Sequence, residues 1–139
     1  MTATVITVQT IIKASKEQVW ECWNDPQHIT QWAFASDDWE CPASENDPRV
    51  DGRFKNTMSA KDKSMSFDFS GTYTVVDLHE RLEYTLDDDR KVTVVFSDTP
   101  EGVHVVQSFE AESMNPVELQ EAGWQAFLDN FTKHTESHG

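Results

Sequence analysis

The side chains with chemical potential in this chain are five histidines, two cysteines, two tyrosines and a large excess of carboxylates. His28, His79, His104, His134 and His138 form no H-x-H or H-E-x-x-H arrangement. His134 and His138 stand four apart, a spacing that can aim two imidazoles at one metal from a helix face. They lie at the C-terminal end with no third ligand beside them in sequence, so they read as a helix tail, and neither metal nor cofactor is predicted. His104 falls on the polar phase of its segment. Cys22 and Cys41 make no C-x-x-C and read as reduced, half-buried thiols. Asp87-Asp88-Asp89, and Asp37, Asp38 and Glu40, could supply paired carboxylates for acid–base work. Consecutive acids on a turn or an exposed edge are usually solvated, and they are read so here. No G-x-S-x-G, P-loop or G-x-G-x-x-G occurs, so catalytic residues stay unassigned and an enzyme is the weaker expectation.

A different set is better placed. Tyr73, Tyr84, Gln107 and Asn56 share the phase of inward-facing apolar residues on their strands. A polar group on an apolar face costs energy unless it finds a partner. That partner could be a ligand, a neighbouring side chain or a buried water. Trp32, Phe54, Phe67, Phe69 and Phe96 face the same way, and Trp124, Phe127 and Phe131 share one face of the last helix. Together they describe an aromatic-lined pocket with a few polar anchors, the usual make-up of a small-molecule site. The same rings could instead fill the space.

The elements that must position these groups follow from periodicity and punctuation. Ile6, Val8 and Ile12 alternate with polar residues as in a half-buried strand. Ser15 with Gln18 is a capping box that starts a short helix carrying Val19, Trp20 and Trp23. Asn24-Asp25-Pro26 stops it, and Asp25 caps a second short helix ending near Trp32. Residues 37–41 are a short segment, and Pro42 to Pro48 is predicted as a polar loop. Val50–Met58 follows, with Phe54 and Met58 in phase. In Met65–Val76, Phe67, Phe69, Gly71, Tyr73 and Val75 form one face. Leu82/Tyr84/Leu86, Val92/Val94/Phe96 and Val103/Val105/Phe109 complete an antiparallel series, the last two joined by the turn Thr99-Pro100-Glu101-Gly102. Asn115-Pro116-Val117-Glu118 opens a terminal helix of about 18–20 residues. Gly123 inside it costs roughly 1 kcal/mol relative to Ala, and a close approach of another element would explain it. One helix cannot cover so wide a flat sheet, so the sheet must curl around it and leave a space.

Charge and length bound the function. The 139 residues suit a single domain spanning 1–139. Eleven Lys+Arg against 25 Asp+Glu give a net charge of −14, which argues against nucleic acid and anionic membranes as partners. Aromatics make up 11% of the chain, which separates it from disordered acidic sequences. The N-terminal stretch lacks a basic region followed by a long apolar run, so no signal peptide is expected and the predicted location is cytoplasmic. An edge strand or the short helices could pair two copies into a homodimer.

Three stretches resemble the START-like or helix-grip superfamily (SRPBCC, Bet v-like). More narrowly, they are similar to the homologues of the ATPase activator of the 90-kDa heat-shock chaperone. They are Ser15–Trp20 continued by Trp23-Asn24-Asp25-Pro26 and His28–Trp32; Phe67, Phe69, Gly71 and Tyr73; and Gly123-Trp124-Gln125 with Leu128. The resemblance implies an α+β fold in which a curved antiparallel sheet wraps a long C-terminal helix, with two short helices after the first strand. It implies a hydrophobic or aromatic small molecule bound between sheet and helix. Alternatives are a co-chaperone-like module with a chaperone or other protein partner, or a cyclase- or hydrolase-type enzyme.

Overall fold

Local chemistry sets the start of the chain path. The Ser15 side chain accepts from the Gln18 amide and opens α1 (Lys16–Asn24). Asp25 accepts from the Gln27 amide and opens α2 (Pro26–Trp32), with Pro26 in the first turn, where its missing N–H costs nothing. The structure, a computed structural model, describes residues 4–34, 37–113 and 115–137. His138 lies outside them.

The remaining elements are β1 (Val5–Ile12), β2 (Trp39–Asn46), β3 (Arg53–Ala60), β4 (Ser66–Asp77), β5 (Arg81–Leu86), β6 (Lys91–Thr99), β7 (Gly102–Glu110) and α3 (Val117–Ser137). The strands form one seven-stranded antiparallel sheet in the order β1-β7-β6-β5-β4-β3-β2. Thus β1 and β2 stand at opposite edges, and α1 and α2 carry the chain between them. The inner face of the sheet supplies Ile6, Val8, Leu82, Val92, Val94, Val103 and Val105, each at most 3% exposed. On that face, α3 packs against β1 and both short helices. This is the curled sheet around a terminal helix expected from the residue pattern.

Four expectations change. Residues 42–46 are not loop: β2 runs through Pro42, with its register broken between Glu40 and Ala43. Proline is tolerated there because β2 is an edge and the ladder is already irregular. In β4 a bulge between Tyr73 and Val75 shifts the phase, so Val76 opposite Leu82, rather than Val75, packs on the core. Phe67 is 51% exposed, because it sits near the start of β4, paired with Met58 on β3 towards the far end of that ladder. Finally, a Cβ built on Gly123 would meet nothing within 4 Å among the described residues, so no close approach of theirs explains that glycine. Gly71 is the reverse case: a Cβ there would lie 2.6 Å from the Thr85 carbonyl and 3.1 Å from the Phe54 ring. Its bare backbone lets Phe54 lie across the sheet. Among the described residues no helix is long and apolar enough to cross a membrane.

Candidate functional site

Between α3 and the curled sheet lies a cavity of about 300 Å³. Its wall includes every residue of the sequence-derived set except Phe96 and Phe131. Those two rings are 1% and 0% exposed and belong to the solid core: Phe96 meets Trp20 and Trp23, and Phe131 meets Trp23 and Trp32. Facing rings hold the cavity open on three sides. Trp124 of α3 stacks on Phe109 at 3.8 Å and 10° and meets Phe69 of β4 edge-on at 5.7 Å. Phe54 meets Tyr84 at 4.9 Å, and Tyr73 meets Tyr84 at 5.8 Å.

The polar groups on the wall are tied to the frame. The Tyr73 hydroxyl donates to Asn46 Oδ1 at 2.5 Å, and Asn46 Nδ2 donates to the Asn24 carbonyl at 2.7 Å. This chain of bonds fixes β4 to β2 and to the end of α1. Gln107 Nε2 donates to the Tyr84 hydroxyl at 3.3 Å, and Ser44 donates to Asn56 Oδ1 at 2.6 Å. Burial pushes the Tyr84 phenol well above its ordinary range, against the opposing pull of the Gln107 bond. Burial does the same to Tyr73, with neighbouring Tyr84 adding to it. Both phenols are therefore neutral at physiological pH, fit to donate hydrogen bonds and unfit to act as bases.

A polar rim was not read from the sequence. Arg90, Glu112, Asn115 and Gln120 stand at one end of the cavity. Gln120 spans the approach to α3: its Oε1 accepts from the Glu112 amide at 2.9 Å, and its Nε2 donates to the Asn115 carbonyl at 2.8 Å. Arg90 is braced by Asp88 at 2.8 Å. Asn46 was missed because its segment looked like loop. Arg90 just precedes β6, Glu112 and Asn115 precede α3 and Gln120 lies in its first turn, where periodicity carries little signal. The acidic turn is solvated as expected: the Ser70 hydroxyl and Arg53 bond to Asp87 and hold its carboxyl below the usual range.

His134 is the clearest correction among the titratable groups. It is not tail but a buried residue, 9% exposed, and His28 Nδ1 lies 2.8 Å from its Nε2. His104 sits on the outer face of the sheet as expected, bonded to Gln9 at 2.8 Å.

The sequence profile described as "Activator of Hsp90 ATPase homolog 1-like protein" matches residues 13–136, nearly the whole of the fold just described. The chain belongs to this family. An AHSA1-like protein from Aeromonas hydrophila is 43% identical, with 98% of this chain and 94% of that one covered, at a TM-score of 0.92. A protein from Cytophaga hutchinsonii is 45% identical, with 98% and 93% covered, at 0.80. A protein from Chromobacterium violaceum, 24% identical over 96% and 98%, shares the fold at 0.86. No curated protein matches the chain. In this AHSA1-like domain, Trp23, Ile29 and Trp32 of the two short helices and Trp124 of α3 line the cavity.

Proposed function

We propose that this AHSA1-like domain binds a small hydrophobic or aromatic molecule in the cavity between α3 and the sheet. The observation that carries this reading is the cavity itself, about 300 Å³, ringed by aromatic side chains and ending at polar Arg90, Glu112 and Gln120. Ligand sites span roughly 300–1,000 Å³ and combine apolar walls with a few fixed polar groups. The volume favours a compact, flat molecule. Tyr84 accepts from Gln107, so its own proton is available to a carbonyl or carboxylate on such a molecule. Neutral phenols favour a holding role over proton abstraction.

The test is a thermal-shift screen with planar aromatic acids, phenols and aryl amides. A binder at 100 times its Kd adds about 2.7 kcal/mol to the folded state. Stabilisation that weakens in Tyr84→Phe and in Phe69→Ala is the expected result. The absence of any stabilising compound, or stabilisation indifferent to both substitutions, would count against the reading. A second reading, a protein-interaction module of co-chaperone type, draws on the family's description and on the charge of −14, which would steer a basic partner. A stoichiometric partner recovered from host lysate at low salt, undisturbed by cavity substitutions, would favour it.

A further inference from the structure

Away from the cavity, three helices bring together side chains that are distant in sequence. Cys22 of α1, His28 of α2 and His134 of α3 each offer one ligand atom, and the three atoms lie within 4.8 Å of one another. His28 Nδ1 is 3.8 Å from Cys22 Sγ and 2.8 Å from His134 Nε2. We propose that Cys22, His28 and His134 form a binding site for one divalent cation of the zinc class, which clamps α3 to the α1–α2 pair.

The chemistry of the donors selects the ion. One thiolate and two imidazoles form a borderline-soft set that suits zinc and its neighbours and is poor for calcium or magnesium. The spacing fits as well. Zinc–sulfur and zinc–nitrogen bonds of about 2.3 and 2.0 Å in a tetrahedron place sulfur and nitrogen about 3.5 Å apart and two nitrogens about 3.3 Å apart. The observed 3.8 and 2.8 Å lie within about half an ångström of those values, and the Cys22 sulfur and the His134 nitrogen, within 4.8 Å of each other, close the third edge as the ion draws them in. Both contacts of His28 run through one nitrogen, Nδ1, as a ligand atom shared by a metal requires.

The surroundings supply what such a site needs. Glu21 and Asp25 place carboxylate oxygens within 4.8 Å of a His28 ring nitrogen. Their negative charge offsets part of the cation's. His134 is reached from outside, since it floors an open depression shared with Gln31, Asn130 and Lys133. Ligation by the thiol releases its proton. Three protein donors leave a fourth position for water. The ion would brace the helical end of the fold without entering the cavity.

The test uses the full chain, reduced and stripped with chelator, titrated with Co²⁺ and then Zn²⁺. The expected result is saturation at one Co²⁺ per chain, with tetrahedral ligand-field bands and a thiolate-to-cobalt charge-transfer band, both lost when Zn²⁺ displaces it. Cys22→Ser should remove the charge-transfer band, whereas Cys41→Ser should keep it, since Cys41 lies in β2 and bonds to the Ala43 carbonyl. His134→Gln should weaken binding by on the order of 100-fold, at the upper end of the ~10–100-fold typical of lost outer partners. His104→Gln should leave it unchanged. Zinc should raise the melting temperature of the wild type and not of Cys22→Ser. If Cys22→Ser or His134→Gln fails to fold, the wild-type spectrum together with Cys41→Ser still decides. Octahedral cobalt without a charge-transfer band, no saturable binding, or equal affinity in a folded His134→Gln would overturn the site and leave a plain His28–His134 hydrogen bond.

Discussion

The two ends of the concave face use the same kinds of side chain to opposite effect. Under α1 and α2, Trp23 and Trp32 meet Phe131 at 4.9 and 4.8 Å, and Trp23 meets Phe96 at 6.0 Å, closing the interior. At the other end Phe54, Phe69, Tyr73, Tyr84 and Trp124 stand around about 300 Å³ of space. Aromatic content therefore does not decide whether the fold is filled or hollow. What each ring packs against does. At the filled end the short helices add indoles to the rings of α3. Trp23 and Trp32 also border the cavity, and there Trp124 of α3 braces against Phe109 and Phe69 instead of plugging the space.

Truncating a ring at each end gives the strongest test of that contrast. Phe131 is 0% exposed, so Phe131→Ala should cost about 3–5 kcal/mol in denaturant titration. Trp124 is only partly buried against the core, and its indole borders space. Trp124→Ala should cost about 2 kcal/mol, the loss of partial burial and of the Phe109 stack. Equal costs at the two ends would break the distinction. The hollow end should also show itself in alkali. Burial raises the folded-state pKa of Tyr73 and Tyr84 above the ordinary 10.0. The folded chain thus keeps protons that the unfolded chain releases. This stability is complete below pH 10 and falls as pH rises towards the folded values, by about 1.4 kcal/mol per phenol per pH unit. Tyr84→Phe should flatten that slope, and a slope unchanged by the substitution would place the ring in solvent. The smallest effect lies on the helix covering the hollow end. Among the described residues nothing approaches Gly123, so Gly123→Ala should stabilise the chain by up to about 1 kcal/mol. Destabilisation would reveal a neighbour that the geometry does not contain.

What could be read from the chain depends on how local the signal is. Ser15 and Asp25 cap their helices through atoms two or three residues away, so those boundaries are visible in the letters themselves. Strand alternation likewise points Phe54, Tyr84 and Gln107 inward. The exceptions depend on pairing between distant segments. The bulge after Tyr73 changes which valine faces the core, and that depends on how β4 meets β5. Phe67 carries the inward phase but, near the start of β4, borders the cavity with half its surface exposed. Asn46 anchors Tyr73 from a segment whose Pro, Ser, Glu and Asn content suggests loop. His28 and His134 are 106 residues apart, and no spacing rule joins them before the helices pack.

The irregular run of β2 has a further effect at the border of the sheet. An outermost strand normally offers a row of amides and carbonyls on which another chain can lie down and begin a fibril. Pro42 withholds one of those amides, and the register break between Glu40 and Ala43 twists the row out of line. Crowded copies of this protein thus find no straight backbone template along that margin.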